Sequence, residues 1–270
     1  MRSAASDVSD ERTEKKGASS SFMTAEIVPS AAALIIGNEI LSGKVADTNS
    51  RDLALLLRRL GVRLQQILVI PDDRARISAA VATLSATHDW VFTSGGVGPT
   101  HDDVTIEAVA DAFGLKAVIH EGTADLIRGH YGEHCTDGHL RMALVPEGAV
   151  LEVIESVRWP TVRVGNVFVL PGIPQVFRMK LAVVEAVVGH HRPFVSHAVY
   201  TQMDEGHLKA LLDAVVEQFP TVDVGSYPTW TDARFRTKLT FDSLDEAAVL
   251  AAKGAFIASL PPGEPQWTDP

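Results

Sequence analysis

The sequence predicts an α/β fold: a three-layer α/β/α domain around a mostly parallel sheet, followed by a small α+β domain. Three observations carry this expectation. Short apolar runs of strand length, at residues 31–36 and 167–170, lack polar alternation, as strands buried on both faces do. Helical stretches with one apolar stripe alternate with the early strands in a β-α-β-α-β rhythm. After His190-His191-Arg192-Pro193 the order changes to βαββα within about 70 residues.

Each element has a local reason. Residues 31–37 form the first strand, ending in Gly37. Asp47 or Thr48 caps a helix to about Leu60, with Leu53, Leu56, Leu57 and Leu60 on one stripe and Gly61 as its stop. Residues 62–70 are the second strand, closed by Pro71. Asp72 or Asp73 caps the helix 74–87, whose Ile77, Ala80, Val81 and Leu84 share a face. Residues 90–94 are the third strand and open into a glycine-rich loop; residues 106–113 are helical and Gly114 ends them. The stretch 120–150 reads as helix interrupted by Gly122, Gly129, Gly132 and Gly138. Residues 166–172 make a buried strand and turn before a helix over 175–188. In the small domain, strands at 195–201, 222–226 and 235–241 alternate with helices at 205–219 and 244–260. The expected divisions are a disordered tail at 1–28, the α/β domain at 29–192, the α+β domain at 193–261 and a tail at 262–270.

Composition narrows the function. The 270 residues carry 24 Lys+Arg against 34 Asp+Glu, a net charge of −10, which disfavours a phosphate-backbone binder. Nucleic acid is therefore not the expected partner, although the βαββα order also suits a KH-type RNA binder; the Gly-x-x-Gly loop of that type is absent. The single cysteine, Cys135, excludes an intrachain disulfide and a Cys-rich zinc module. No apolar run reaches the ~18–20 residues of a membrane span, and residues 1–16 lack the apolar core of a secretory signal. The expected location is the cytoplasm.

Right-handed crossovers bring the carboxyl ends of the strands to one edge, where open α/β sheets bind ligands. Gly37, Gly95–Gly98 and Gly172 fall there. Thr93-Ser-Gly-Gly-Val-Gly-Pro-Thr-His-Asp-Asp-Val-Thr105 can turn sharply, present N–H groups to an anion and lead into a helix N-terminus. Asp102 and Asp103 repel a bare phosphate and make sense with a hard divalent cation between them and phosphoryl oxygens; a plain strand-to-helix loop with an Asp cap is the alternative. The loop is neither a Walker loop nor G-x-G-x-x-G. Gly37-Asn-Glu-Ile-Leu-Ser-Gly-Lys-Val-Ala-Asp-Thr-Asn-Ser50 offers Asn38, Glu39, Ser42, Asp47 and Asn49, groups of both hydrogen-bonding senses that suit a heterocycle or ribose, or else simply cap the next helix. Leu170-Pro-Gly-Ile-Pro174 supplies a rigid third turn.

The first two stretches together resemble the molybdopterin-binding domain family of molybdenum-cofactor assembly proteins, and the second Asp-containing motif looks most like its CinA branch. The tract Trp159-Pro160 with Asn166-Val-Phe-Val-Leu-Pro-Gly-Ile-Pro174 is similar to the extra domain of eukaryotic FAD synthases. The Asn-x-x-Gly-Thr-Ala-Pro-Gly stretch of CinA proteins and their following deamidase domain are absent. The resemblance implies a three-layer α/β domain that holds molybdopterin or performs metal-dependent cleavage of a nucleotide pyrophosphate such as ADP-ribose or FAD. It assigns phosphate to Gly95, Gly96 and Gly98, with Thr100, Pro171 and Gly172 beside them. It assigns the metal (Mg, Mn, Co or Ni) to Asp102 and Asp103, and ligand and water to Asn38, Glu39, Ser42, Asp47 and Asn49. No tightly bound organic cofactor is required; molybdopterin enters as a ligand, and a homo-oligomer, dimer or trimer, is the expected assembly. The alternative to a pyrophosphatase is a molybdopterin-binding protein without hydrolysis.

Two features stand outside this reading. His130 and His134, four apart, with Cys135 and His139, have a spacing two metal ligands could use, but Gly132 and Gly138 undercut a continuous helix. Gly225-Ser-Tyr-Pro228 reads as a β-turn, or as an element closing over a ligand.

Overall fold

The computed structural model describes residues 28–269; the polar segment expected over 1–28 lies outside the described residues, Val28 apart. The first domain runs β1 (Ser30–Ile36), α1 (Asn38–Leu41), α2 (Asn49–Arg59), β2 (Arg63–Ile70), α3 (Arg74–Thr87), β3 (Trp90–Ser94) and α4 (Thr105–Ala112). It continues through β4 (Ala117–Ile119), α5 (Glu121–Tyr131), a 3-10 turn at Gly132–His134, α6 (Asp137–Arg141) and β5 (Leu144–Pro146). It closes with β6 (Val150–Ile154), β7 (Val157–Val164), β8 (Val167–Leu170) and α7 (Pro174–Val188).

The six-stranded sheet has the order β2-β1-β3-β8-β7-β6, with β2, β1, β3 and β8 mutually parallel and β7 antiparallel to both neighbours. The pleat sends alternate residues of β1 to opposite faces. Ala31, Ala33 and Ile35 pack with Leu53, Leu57, Phe168 and Phe177 beneath α2 and α7. Ala32, Leu34 and Ile36 pack with Ile77, Val81 and Val109 beneath α3 and α4. Two apolar layers on one strand explain its lack of alternation. The caps fall within the expected pairs: Asp73 accepts from the Arg76 N–H, and at α2 Asp47 rather than the N-cap Thr48 accepts backbone N–H groups.

The interrupted-helix reading of 120–150 holds as far as Arg141 and fails beyond it. Residues 144–146 pair with β4, and 150–164 form the β6–β7 hairpin inside the main sheet. Pro160 lies within β7, and a proline argues against an interior strand because it cannot donate to the ladder. Here the register shifts between Glu152 and Ile154, and the Trp159 and Pro160 carbonyls instead accept from the Lys180 ammonium of α7.

The second domain contains β9 (Val195–Thr201), α8 (Glu205–Gln218), β10 (Asp223–Pro228), β11 (Thr237–Ser243), α9 (Glu246–Ser259) and β12 (Trp267–Asp269). Its sheet order is β10-β11-β9-β12, with β11 antiparallel between β9 and β10, a split βαβ arrangement. β12 corrects the expected tail at 262–270: residues 267–269 pair with β9, and Trp267 stacks on Tyr200 at 4.4 Å with 15° between the rings. Gly225–Pro228 lies in a strand rather than a turn. The domains meet where Arg58 pairs with Asp242, Arg63 with Asp223 at 3.8 Å, and both guanidiniums lie 5.5 Å from the Phe194 ring centre. Arg63 begins β2, so this joint is at the amino-terminal edge of the sheet. Among the described residues no helix is long and apolar enough to cross a membrane.

Trp267→Ala should destabilise the protein by about 1–3 kcal/mol, below the cost of a fully buried Trp because this ring is half-buried. Urea unfolding measures it; an unchanged midpoint would return residues 262–269 to the status of a tail.

Candidate active site

The carboxyl ends of β1, β3 and β8 meet backbone to backbone. A Cβ on Gly95, at φ +111°, would lie 2.1 Å from the Ile36 carbonyl oxygen, and one on Gly172 would lie 3.3 Å from the Gly95 Cα. Asn49, buried at the start of α2, ties these ends together: its Nδ2 donates to Ser94 Oγ at 2.9 Å and to the Gly172 carbonyl at 2.8 Å. Asp47 Oδ1 accepts from the Asn49 and Ser50 N–H groups at 2.9 and 3.2 Å. Asn49 Oδ1 is buried without a hydrogen-bond partner and borders a small pocket of about 50 Å³ shared with Glu39, Asp47 and Ser94.

The glycine loop is first a packing requirement. Gly96, at φ +66°, sits where a Cβ would be 2.3 Å from Thr105 Oγ1, and a Cβ on Gly98 would be 2.6 Å from Asp103 Oδ2. Thr105 Oγ1 donates to the Gly95 carbonyl at 2.9 Å, anchoring the start of α4 to the loop. The Gly95 N–H donates to the Leu170 carbonyl at 3.2 Å, so this glycine serves the sheet edge.

Beside this joint opens a cleft of about 640 Å³. The sheet edge contributes Glu39, Gly95, Gly96, Gly98, Asp103, Pro171 and Gly172; the α5–α6 excursion and β7 contribute His130, Tyr131, Met142 and Trp159. The rings form one aromatic lining: His130 meets Tyr131 edge-on at 4.8 Å and Trp159 at 5.8 Å, and Tyr131 stacks on His139 at 3.9 Å. An inner chamber of about 210 Å³ shares Gly96, Gly98, Asp103, Trp159 and Pro171 with the cleft and reaches Glu107, Arg141 and Lys180.

Of the residues singled out in the sequence, Glu39, Gly95, Gly96, Gly98, Asp103, Pro171 and Gly172 line the cleft. Asp47 and Asn49 sit in the joint behind it. Four lie elsewhere. Asn38 is exposed and donates its N–H to Asp72 at 2.8 Å; Ser42, also exposed, donates to the Glu39 carbonyl at 3.3 Å. Thr100 donates both its N–H (2.9 Å) and its hydroxyl to Asp103 Oδ2, holding that carboxylate in place. Asp102 is exposed and borders none of the cavities above. Of the two adjacent acids only Asp103 lines the cleft. The carboxylates on the cleft are Asp103 and Glu39, hard oxygen donors that fit a divalent ion arriving with a ligand's phosphoryl oxygens rather than a preformed cage. Among the described residues no group of three His, Cys, Asp or Glu side chains could hold a metal. The histidine quartet divides accordingly: His130 joins the aromatic lining, and His139 caps α6 through Thr136.

Sequence reasoning passed over Arg141 and Lys180 and gave the rings no role. One signal was available: Lys180 falls on the apolar stripe of α7 between Phe177 and Val184, and it is only 6% exposed.

Comparison with known proteins covers both domains. Residues 32–192 match the family model described as probable molybdopterin binding domain, and residues 193–268 match one described as FAD synthase, middle domain. A probable FAD synthase of Caenorhabditis briggsae is 31% identical over 255 residues, covering 84% of this chain and 48% of that protein. A CinA-like protein of Anaeromyxobacter dehalogenans (strain 2CP-C) is 38% identical over 155 residues, 54% of this chain and 37% of its own. The chain spans about half the length of the first curated relatives it matches. Among solved structures, the CinA protein with unknown function from Thermoplasma acidophilum superposes with a TM-score of 0.55 at 30% identity, covering 60% of this chain and 99% of that one. With more than half of its length matched in this way, the chain belongs to the probable molybdopterin binding domain family.

Proposed function

We propose that the cleft binds a nucleotide pyrophosphate of the ADP-ribose or FAD kind and hydrolyses it with a divalent metal. The observation that carries this reading is a single cleft that joins two carboxylates and a glycine loop to a lining of three aromatic rings. A planar base or flavin stacks on such rings, while the phosphoryl groups lie toward the loop and the acids. When bound, the metal supplies positive charge to the phosphoryl oxygens; Asp103 and Glu39 are the residues that would hold it. Thr100 fixes the Asp103 carboxylate by two hydrogen bonds. Glu39, exposed on the same cleft, would take a proton from the water that adds to phosphorus as the P–O–P bond breaks.

The relatives named FAD synthase and the matched middle domain support a nucleotide as ligand. The matched molybdopterin domain favours a second reading, in which the same cleft holds molybdopterin and hydrolyses nothing. Incubating the protein with a nucleotide panel and Mg²⁺, Mn²⁺, Co²⁺ or Ni²⁺ separates the two. Release of AMP supports hydrolysis; tight pterin binding without AMP release supports the second.

Asp103→Asn should reduce turnover by about 100-fold or more while the protein stays folded, because the change is isosteric and removes only charge. AMP release followed by chromatography measures it, and undiminished turnover would remove Asp103 from the site. Trp159→Leu should weaken FAD and ADP-ribose by about 1–3 kcal/mol, the worth of one stacked base, and leave inorganic pyrophosphate unaffected. Calorimetric titration provides both numbers, and equal losses for all three ligands would point to a collapsed cleft instead of a lost stack.

A further inference from the structure

We propose that the inner chamber beneath the glycine loop is a phosphoryl subsite, with the Lys180 ammonium and the Arg141 guanidinium as its donors. The inference deepens the proposed function, on which it rests, by naming where the ligand's phosphate end lodges.

Hydrogen-bond donors around this chamber are left unsatisfied. Lys180 is 6% exposed, and its hydrogen-bond partners are two neutral acceptors, the carbonyls of Trp159 and Pro160. An ammonium has three N–H donors, so one is left over. A buried ammonium without an acid partner is costly, and burial pushes this one down to about 8. Arg141 presents the complementary defect. Its Nη2 donates to Glu107 Oε1 at 3.1 Å and to the Asp103 carbonyl at 3.2 Å, but its Nε is buried without a partner. Both residues line the same chamber.

The acids of that chamber are already engaged: Glu107 by Arg141, and Asp103 by the N–H and hydroxyl of Thr100. The remaining lining is largely apolar, including Ile106, Leu144 and Val169. Donors without acceptors call for an acceptor-rich, anionic occupant. About 210 Å³ is enough for a phosphoryl group and its hydration. Trp159 borders both this chamber and the wider cleft, where the ring of the ligand would stack.

The test uses the full chain and inorganic pyrophosphate, with adenosine as a phosphate-free control, in titration calorimetry. Lys180→Gln keeps donors for the two carbonyls and removes the charge. It should weaken pyrophosphate by about tenfold or more and leave adenosine unchanged. Arg141→Lys keeps a cation facing Glu107, removes Nε, and should also weaken pyrophosphate. Near-UV circular dichroism establishes that each variant is folded; should Lys180→Gln fail to fold, Arg141→Lys decides alone. Wild-type pyrophosphate affinity in a folded variant overturns the proposal, as does absence of pyrophosphate binding by the wild type. Lysine-dependent pyrophosphate binding without dinucleotide cleavage supports the subsite and removes the proposed reaction. Dinucleotide cleavage with unchanged constants in Lys180→Gln does the reverse.

Discussion

The site depends on the close approach of three strand ends at Gly95. No side chain fits between that residue and the Ile36 carbonyl, and Gly172 presses on it from the other side. Such contact brings the loops after β1, β3 and β8 to one place, and the buried Asn49 amide locks two of them by hydrogen bonds. Glu39, Asp103 and the Pro171–Gly172 turn owe their shared cleft to this joint. The left-handed backbone at Gly95 and Gly96 is thus explained by the fold before any ligand is considered.

A second constraint is the hairpin β6–β7, which lies against β8 and carries Trp159. Its register shift leaves carbonyls that a regular ladder would have satisfied, and a lysine from α7 reaches them. This places a cation deep beside the cleft, where a hydrophobic residue would have packed at lower cost. The helical excursion between β4 and β5 packs its buried Ala124, Ile127 and Ala143 beside Tyr131, Met142 and Trp159. Aromatic lining and buried cation therefore arise from one piece of irregular packing.

The second domain stands apart from this chemistry. Its joint with the first is made by Arg58, Arg63 and Phe194 at the amino-terminal edge of the sheet, and the cleft is at the carboxyl edge. Its strand β10, with Gly225–Pro228, contributes no residue to the cleft.

The sequence by itself determined the layered domain, its parallel strands and the edge on which the site lies. Those features rest on local and periodic rules: unbroken apolar runs for doubly buried strands, apolar stripes for helices, glycine where the chain turns left-handed. The same rules read residues 144–150 as part of an interrupted helix, because the partners that make strands there, β4 and β7, lie elsewhere in the chain. They also placed Asp102 beside Asp103, since adjacency in sequence says nothing of which way each side chain turns from an exposed loop. Only the tertiary structure decided that Glu39 accompanies Asp103 on the cleft, that His130 stands with Trp159, and that Lys180 and Arg141 share a chamber. Each of those pairs joins elements distant in the chain, and its geometry is set by packing between them, which no single segment encodes.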